Sequence, residues 1–214
     1  MAEQAMAPAH QFDTPIQQYE ASTLGMWVFL VTEIMFFGGM FLGYTVYRFL
    51  YPTAFAAGSH HLDVVLGGIN TAVLLGSSLT MALAVHAAQV GERQQLLRCL
   101  AGTLGLGLVF LGIKALEYGH KFAAHLVPGS RFVYEGQHAP QVQLFFSFYF
   151  SMTGMHALHM LIGIGLLSVL IRLAWRGRFS PDYHTPVEAV GLYWHFVDVV
   201  WIFLFPLLYL LGRH

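Results

Sequence analysis

Charge is scarce in this sequence, and that scarcity excludes several classes of protein. Only 10% of the 214 residues are charged and 57% are hydrophobic, whereas soluble domains carry about 25% charged residues. A water-soluble fold of this size could not bury so much apolar surface, so we predict a membrane protein. The formal net charge of −1 gives no basic surface for a nucleic-acid partner. The single cysteine, Cys99, excludes an internal disulfide framework.

A secretory signal is also missing from the start of the sequence. Residues 1–21 are polar and slightly acidic and lack the basic n-region of a signal peptide. The apolar run that follows is too long for a signal h-region. We therefore predict a polar N-terminal segment, cytoplasmic in location, that leads into a true membrane span.

Five apolar stretches reach the roughly 20 residues that a membrane-spanning helix needs. The sequence predicts an all-α fold, an integral membrane bundle of five transmembrane helices. Only short polar connections separate the stretches, so one membrane domain is expected over residues 22–212. The predicted helices cover residues 22–50, 63–89, 96–120, 142–175 and 187–212.

Basic residues in the connections indicate the orientation of the bundle. With the N-terminus in the cytoplasm, three clustered arginines of the last inside connection outweigh the scattered basic residues outside. The prediction is a cytoplasmic N-terminus and a periplasmic C-terminus. The inside residues are Arg93, Arg98, Arg172, Arg176 and Arg178, and the outside ones are Arg48, Lys121, Arg131 and Arg213.

Small and aromatic residues predict how the helices pack and where they end. Small side chains one turn apart, as at Ala101 and Gly105, are typical of helix–helix seams in lipid. Tryptophan and tyrosine near the ends of the spans, among them Trp175 and Tyr209, fit an aromatic belt.

Glu33 lies midway along the first predicted helix, with no basic residue within a turn. Charges at membrane depth cost several kcal/mol, so such a carboxyl is a candidate site by default. We expect it to accept a hydrogen bond from another helix or to stay protonated. Two roles stay open from the residues alone: an interhelical hydrogen bond, or a carboxyl that exchanges protons.

Two further pairs with a spacing of three residues lie inside predicted spans. Lys114 and Glu117 share a helix face and are predicted to form a structural ion pair. His156 and His159 raise the question of a metal or haem, but no cysteine or carboxylate set completes such a site. Hydrogen bonds to other helices are the favoured interpretation.

His195 and Asp198 repeat this spacing on the last helix, directly after Trp194. We predict a hydrogen bond between the two side chains, on a face that could lie against another subunit. No nucleophile or metal set accompanies them, so no catalytic residue and no metal site is predicted on this chain.

Five segments, one in each predicted helix, together resemble subunit III of haem-copper terminal oxidases. The most specific is YWHFVDVVWIFLF at residues 193–205, which is similar to the last-helix signature of that family. The others are TEIMFF at residues 32–37, residues 70–78, KALEY at residues 114–118 and TGMHALH at residues 153–159. With five rather than seven predicted helices, the chain is similar to the short bacterial form of cytochrome c oxidase subunit III.

The resemblance implies an accessory subunit in the bacterial inner membrane. Haems and copper would belong to subunits I and II, and this chain would pack on subunit I, bind phospholipid and support proton uptake and stability. The complex would reduce oxygen to water with electrons from cytochrome c and pump protons. Glu33 corresponds to a carbodiimide-reactive carboxyl of the family. The remaining signature positions are expected to be structural or to face lipid or a subunit: Lys114, Glu117, His156, His159, Trp194, His195 and Asp198.

Three alternatives stay open. Subunit III of a quinol oxidase and a homologue associated with nitric oxide reductase share the five-helix pattern. A small membrane transporter is an alternative of another class. Transporters show inverted repeats or broken helices, and Pro206 is the only proline deep within a predicted span, which argues against transport.

Overall fold

The structure is a computed structural model that describes residues 11–129 and 132–212. In these residues it contains helices and loops and no strand, apart from one isolated bridge between Ser180 and Tyr183. Five helices in this described part of the chain are long and apolar enough to cross a membrane, which confirms the predicted fold class. The elements are α1 (Pro15–Leu50), α2 (Pro52–His60), α3 (Val64–Gln89), α4 (Arg93–Ala123), α5 (Ala139–Trp175) and α6 (Thr185–Phe205), with a π-helical turn at Pro206–Leu210.

Side-chain caps set the starts of α1 and α3. Thr14 accepts a hydrogen bond from the Gln17 backbone N–H at 3.1 Å, so α1 begins earlier than residue 22, where the hydrophobic pattern placed it. Asp63 accepts from the N–H groups of Val65 and Leu66 at 2.9 and 3.1 Å. The predicted segment 1–21 therefore ends inside a helix, and its residues 1–10 lie outside the described residues.

Helix α2 is an element that the sequence pattern did not predict. Proline, glycine and histidine made this stretch resemble a polar connection, yet Phe55 is fully buried. A Cβ atom built on Gly58 would lie 2.4 Å from the Phe145 ring of α5. The small side chain thus permits the close approach that buries α2 against the bundle.

The five long helices form one bundle in which α6 is central. Helices α3 and α4 form an antiparallel hairpin, and α6 packs against α3 and α5. Helix α1 touches mainly α6 and α5, and most of its large apolar side chains point outward. α1 is therefore the least covered span of the chain.

Trp194 occupies the middle of the core and joins four helices. Its ring lies between two glycines, where a Cβ atom on Gly107 of α4 or Gly163 of α5 would stand 2.8 or 2.9 Å away. Its indole N–H donates to the Ser77 hydroxyl of α3 at 2.7 Å. By contrast, a Cβ atom on Gly105 would meet no atom of another helix within 4 Å, so the predicted seam at this residue is wrong within this chain.

Basic side chains cap the carboxyl ends of neighbouring segments. Arg93 donates to the carbonyl groups of Ala174, at 3.0 Å, and Trp175, at the end of α5. Lys121 donates in the same way to the carbonyl that follows α2. The last carbonyls of a helix have no partner within it, and cations there also offset the negative end of the helix dipole.

Candidate functional site: polar groups inside the bundle

Glu33 is paired with a histidine from another helix. One of its carboxyl oxygens, Oε2, lies 3.0 Å from Nε2 of His159, so the pair links α1 to α5. The Glu33 side chain is 19% exposed and the His159 side chain is 10% exposed. Glu33 lies at about the middle of α1. The partner of Glu33 therefore comes from another helix, as a carboxyl at this depth requires.

The second ring nitrogen of His159 fixes how many protons the pair holds. Nδ1 lies 2.9 Å from the Met155 carbonyl oxygen, which can only accept, so Nδ1 carries a hydrogen. Nε2 then either accepts a hydrogen bond from a protonated Glu33 or donates one to its carboxylate. In both forms one proton is shared between the two side chains, and the pair is neutral overall.

Aromatic rings surround this shared proton. The Phe37 ring centroid lies 5.2 Å from that of His159. Tyr193 of α6 stacks on the imidazole and donates its hydroxyl to the His159 carbonyl at 3.0 Å. The rings shield the pair from the rest of the core and tie three helices together at this position.

Lys114 and Glu117 form the centre of a second polar cluster. Lys114 Nζ donates to Glu117 Oε2 and to the Tyr209 hydroxyl, both at 2.9 Å, and to the Tyr149 hydroxyl at 3.3 Å. Both tyrosines also donate to Glu117 Oε1, at 3.0 and 2.6 Å. All three ammonium hydrogens and both carboxyl oxygens are therefore used, with Lys114 and Glu117 only 4% and 2% exposed.

The two tyrosines of this cluster were missed from the sequence. Tyr209 was predicted to belong to an aromatic belt at the membrane edge, but it is fully buried. The π-helical turn Pro206–Leu210 shifts the helical register, and both Leu208 and Tyr209 point into the core. Tyr149 gives no sequence signal, because its role depends on how α5 packs against α4.

His156 is a buried link between α5 and α6. Its Nε2 lies 3.1 Å from the Val197 carbonyl oxygen, so Nε2 carries the hydrogen and donates. Its Nδ1 has no partner among the described residues. The ring packs between Phe110 and Trp201, with centroid distances of 5.4 and 5.2 Å. The interhelical bond is the kind that the sequence predicted.

The predicted hydrogen bond between His195 and Asp198 is wrong. Nδ1 of His195 lies 2.7 Å from the Ser78 hydroxyl of α3 instead, because α3 packs against this face of α6. Asp198 is 3% exposed, and its carboxyl lies near the same Ser78 hydroxyl, although neither oxygen meets hydrogen-bond geometry with a group in the described part of the chain. A shared helix face was not enough to pair the two side chains.

These polar groups stay in separate small clusters. Within residues 11–129 and 132–212, no three histidine, cysteine, aspartate or glutamate side chains converge as a metal site would require. Outside the spans, burial and the nearby charge of Lys121 lower the pKa of His61, which follows α2. What the arrangement offers is a shared proton at Glu33 and His159, a closed ion-pair cluster and an unpaired carboxyl at Asp198.

Comparison with known proteins identifies the family. The family model described as cytochrome c oxidase subunit III matches residues 10–213. Cytochrome c oxidase subunit 3 of Synechocystis sp. is 37% identical over 188 residues, 87% of this chain and 74% of that protein. The subunits of Danio rerio and Dugong dugon are 35% and 34% identical, each covering 88% of this chain and 69% of the relative. The chain belongs to the cytochrome c oxidase subunit III family.

Proposed function

We propose that the chain is an accessory subunit of a bacterial cytochrome c oxidase that supports proton uptake and stability of the complex. It packs on subunit I beside subunit II, and those partners hold the haems and copper. The two α5 histidines are the first candidates for metal ligation. Both support an accessory role, because each has a ring nitrogen in a hydrogen bond to another helix. His156 Nε2 is bonded to the Val197 carbonyl oxygen, and His159 Nε2 is bonded to Glu33.

The pair of Glu33 and His159 is the observation that carries this proposal. It holds one shared proton near mid-membrane on α1, the least covered helix, where a neighbouring subunit or water could exchange that proton. Either proton position leaves the pair neutral, so moving the proton between the two groups creates no net charge in the bilayer. A group of this kind is suited to passing protons to a neighbour.

Two substitutions at Glu33 separate a proton-exchange role from a structural one. The amide of Glu33→Gln can still donate to His159 Nε2 but carries no titratable proton, whereas Glu33→Ala also breaks the bond. We expect Glu33→Gln to assemble like wild type and yet to lose oxygen-reduction activity after fewer turnovers, with slower proton uptake. The measurements are oxygen consumption and proton uptake by the complex in vesicles.

A matched control uses a carboxyl with partners inside the chain. Glu188 accepts a hydrogen bond from Gln89 Nε2 at 2.8 Å and lies 3.2 Å from His184 Nε2, so Glu188→Gln should leave turnover unchanged. If Glu33→Gln is as durable as wild type and only Glu33→Ala fails, the pair is structural and the proton-exchange role is refuted.

The proposed location is the bacterial inner membrane, with the N-terminus inside and the C-terminus outside. Phospholipid would cover the outward face of α1, where Met35 and Phe49 are 72% and 86% exposed. Single cysteines at Glu92 and Glu135, both exposed, test the orientation in a chain that carries Cys99→Ser. An impermeant maleimide should label the Glu135→Cys variant in intact cells and should spare Glu92→Cys. The reverse pattern would overturn the orientation.

A further inference from the structure

A stripe of polar side chains on α6 faces the hydroxyl groups of α3. Three rings on this stripe each share a hydrogen bond with a hydroxyl of α3: Trp194 with Ser77, His195 with Ser78 and Trp201 with Thr71. Asp198 belongs to the same stripe, because it comes four residues after Trp194 and three before Trp201. Its carboxyl group is therefore enclosed at the contact between α3 and α6, inside the chain.

Ser78 connects this carboxyl group to His195. The Ser78 hydroxyl lies 2.7 Å from His195 Nδ1, and the Asp198 carboxyl lies near the same hydroxyl. Asp198 is about 20 Å along α6 from Thr185, at about 1.5 Å per residue, so it is far from either surface of a hydrocarbon core of about 30 Å. A serine hydroxyl can accept one hydrogen bond while it donates another. Ser78 is therefore placed to bridge the buried carboxyl and the imidazole.

The surroundings of Asp198 favour its neutral, protonated form. A buried carboxylate needs a cation or several hydrogen-bond donors to offset its lost hydration. Glu117 has both, because it accepts three hydrogen bonds and one of them comes from Lys114. Among the residues that the structure describes, neither oxygen of Asp198 has such a partner. As a neutral acid, Asp198 needs only an acceptor for its own hydrogen, and the Ser78 oxygen is the nearby acceptor.

We propose that Asp198 holds a proton and passes it through Ser78 to His195, so that the three residues form a second proton-sharing unit of the bundle. A turn of the carboxyl about its soft terminal torsion lets the acid O–H donate to Ser78 Oγ, while the Ser78 O–H donates to His195 Nδ1. In the transfer, Ser78 accepts the proton of Asp198 as its own proton moves to Nδ1. A carboxylate and an imidazolium result. No electron moves, and the net charge stays zero, as it does at Glu33 and His159.

Burial gives this unit a direction. Asp198 is 3% exposed, whereas Ser78 and His195 are both partly exposed. Proton exchange between Asp198 and the surroundings therefore runs through the other two residues. The unit rests on the geometry of this chain alone, so it does not depend on the proposed role of Glu33 or on the oxidase partners.

Infrared spectroscopy of the unaltered full chain tests whether Asp198 holds a proton. The chain is produced with ¹³C-labelled aspartate and with unlabelled aspartate, and the two spectra at neutral pH are subtracted. The three other aspartates, Asp13, Asp63 and Asp182, are exposed, and aspartates in water are ionised at neutral pH. We expect one carbonyl band of a protonated carboxyl that moves with the label and is lost in Asp198→Asn. Absence of such a band would mean that Asp198 is ionised and would overturn the proposal.

Hydrogen–deuterium exchange of the same band tests the route through Ser78. After transfer to D₂O, the band shifts as the carboxyl exchanges its proton. Ser78→Ala should slow this shift at least about tenfold, because a positioned group is lost from the proton path, and should move the band to higher wavenumber. Ser78→Thr keeps the hydroxyl and should restore the rate. The matched control is Ser77→Ala, since Ser77 is bonded to Trp194 instead. An unchanged rate in Ser78→Ala, or equal slowing in Ser77→Ala, would overturn the relay.

Discussion

Removing Lys114 should destabilise the bundle more than removing Lys114 and the charge of Glu117 together. Their charged atoms are 2.9 Å apart, which corresponds to about 6 kcal/mol of attraction at an effective dielectric constant of about 20. Lys114→Met leaves the Glu117 carboxylate without a cation at a position that is 2% exposed. Breaking one side of a buried pair costs about 3–5 kcal/mol.

The double variant removes both charges and keeps most of the volume. Glu117→Gln retains an oxygen that accepts from Tyr149 and Tyr209, so Lys114→Met with Glu117→Gln should cost clearly less than the sum of the single variants. We expect a coupling energy of at least about 2 kcal/mol between the two sites. The assay is a double-mutant cycle on the free energy of unfolding, from denaturation of the purified chain with SDS in mixed micelles.

A result close to additivity would refute this reasoning. It would mean that the two side chains act independently, through their tyrosine partners or through water, rather than as one ion pair. A matched surface pair is available in Glu188 and His184, which lie 3.2 Å apart and are each 23% exposed. Because solvent screens this pair, its cycle should give less than about 1 kcal/mol of coupling.

Two further predictions concern packing and hydrogen bonding. Gly107→Ala drives a methyl group against the Trp194 ring and should lower the free energy of unfolding by about 1–3 kcal/mol. Gly105→Ala on the same helix meets open space and should not lower it. Equal effects of the two substitutions in thermal unfolding would contradict the packing described. Tyr209→Phe removes a donor to Glu117 and an acceptor for Lys114 and should lower the free energy of unfolding by about 1–2 kcal/mol. Tyr51→Phe, at a partly exposed position, should lower it by less than about 0.5 kcal/mol. Both values are measured by SDS denaturation.

Much of the fold could be predicted because lipid imposes strong rules. Long apolar runs must be helices, since no water is present to satisfy backbone groups. The five spans were found for this reason, with boundaries within a few residues except at the start of α1. Helix α2 could not be found, because its burial comes from the close approach of Gly58 to Phe145 rather than from a pattern of its own.

The site was predictable in its members but less so in its pairings. Intramembrane charge singled out Glu33, Lys114, Glu117 and Asp198. Sequence spacing then paired residues on the same helix, which succeeded for Lys114 with Glu117. It failed for Asp198, whose expected partner His195 is bonded to another helix. The partner of Glu33 also lies on a different helix, at a position that depends on tertiary packing.

The most direct test of the central claim is mild-detergent purification through a tag on this chain, followed by a visible absorption spectrum and identification of the co-purifying subunits. We expect haem absorption that travels with a large partner subunit and is lost when that partner is removed. A copper-bearing partner would support cytochrome c rather than quinol as the electron donor. A colourless chain that never brings down such a partner would contradict membership of an oxidase complex and would favour the transporter alternative.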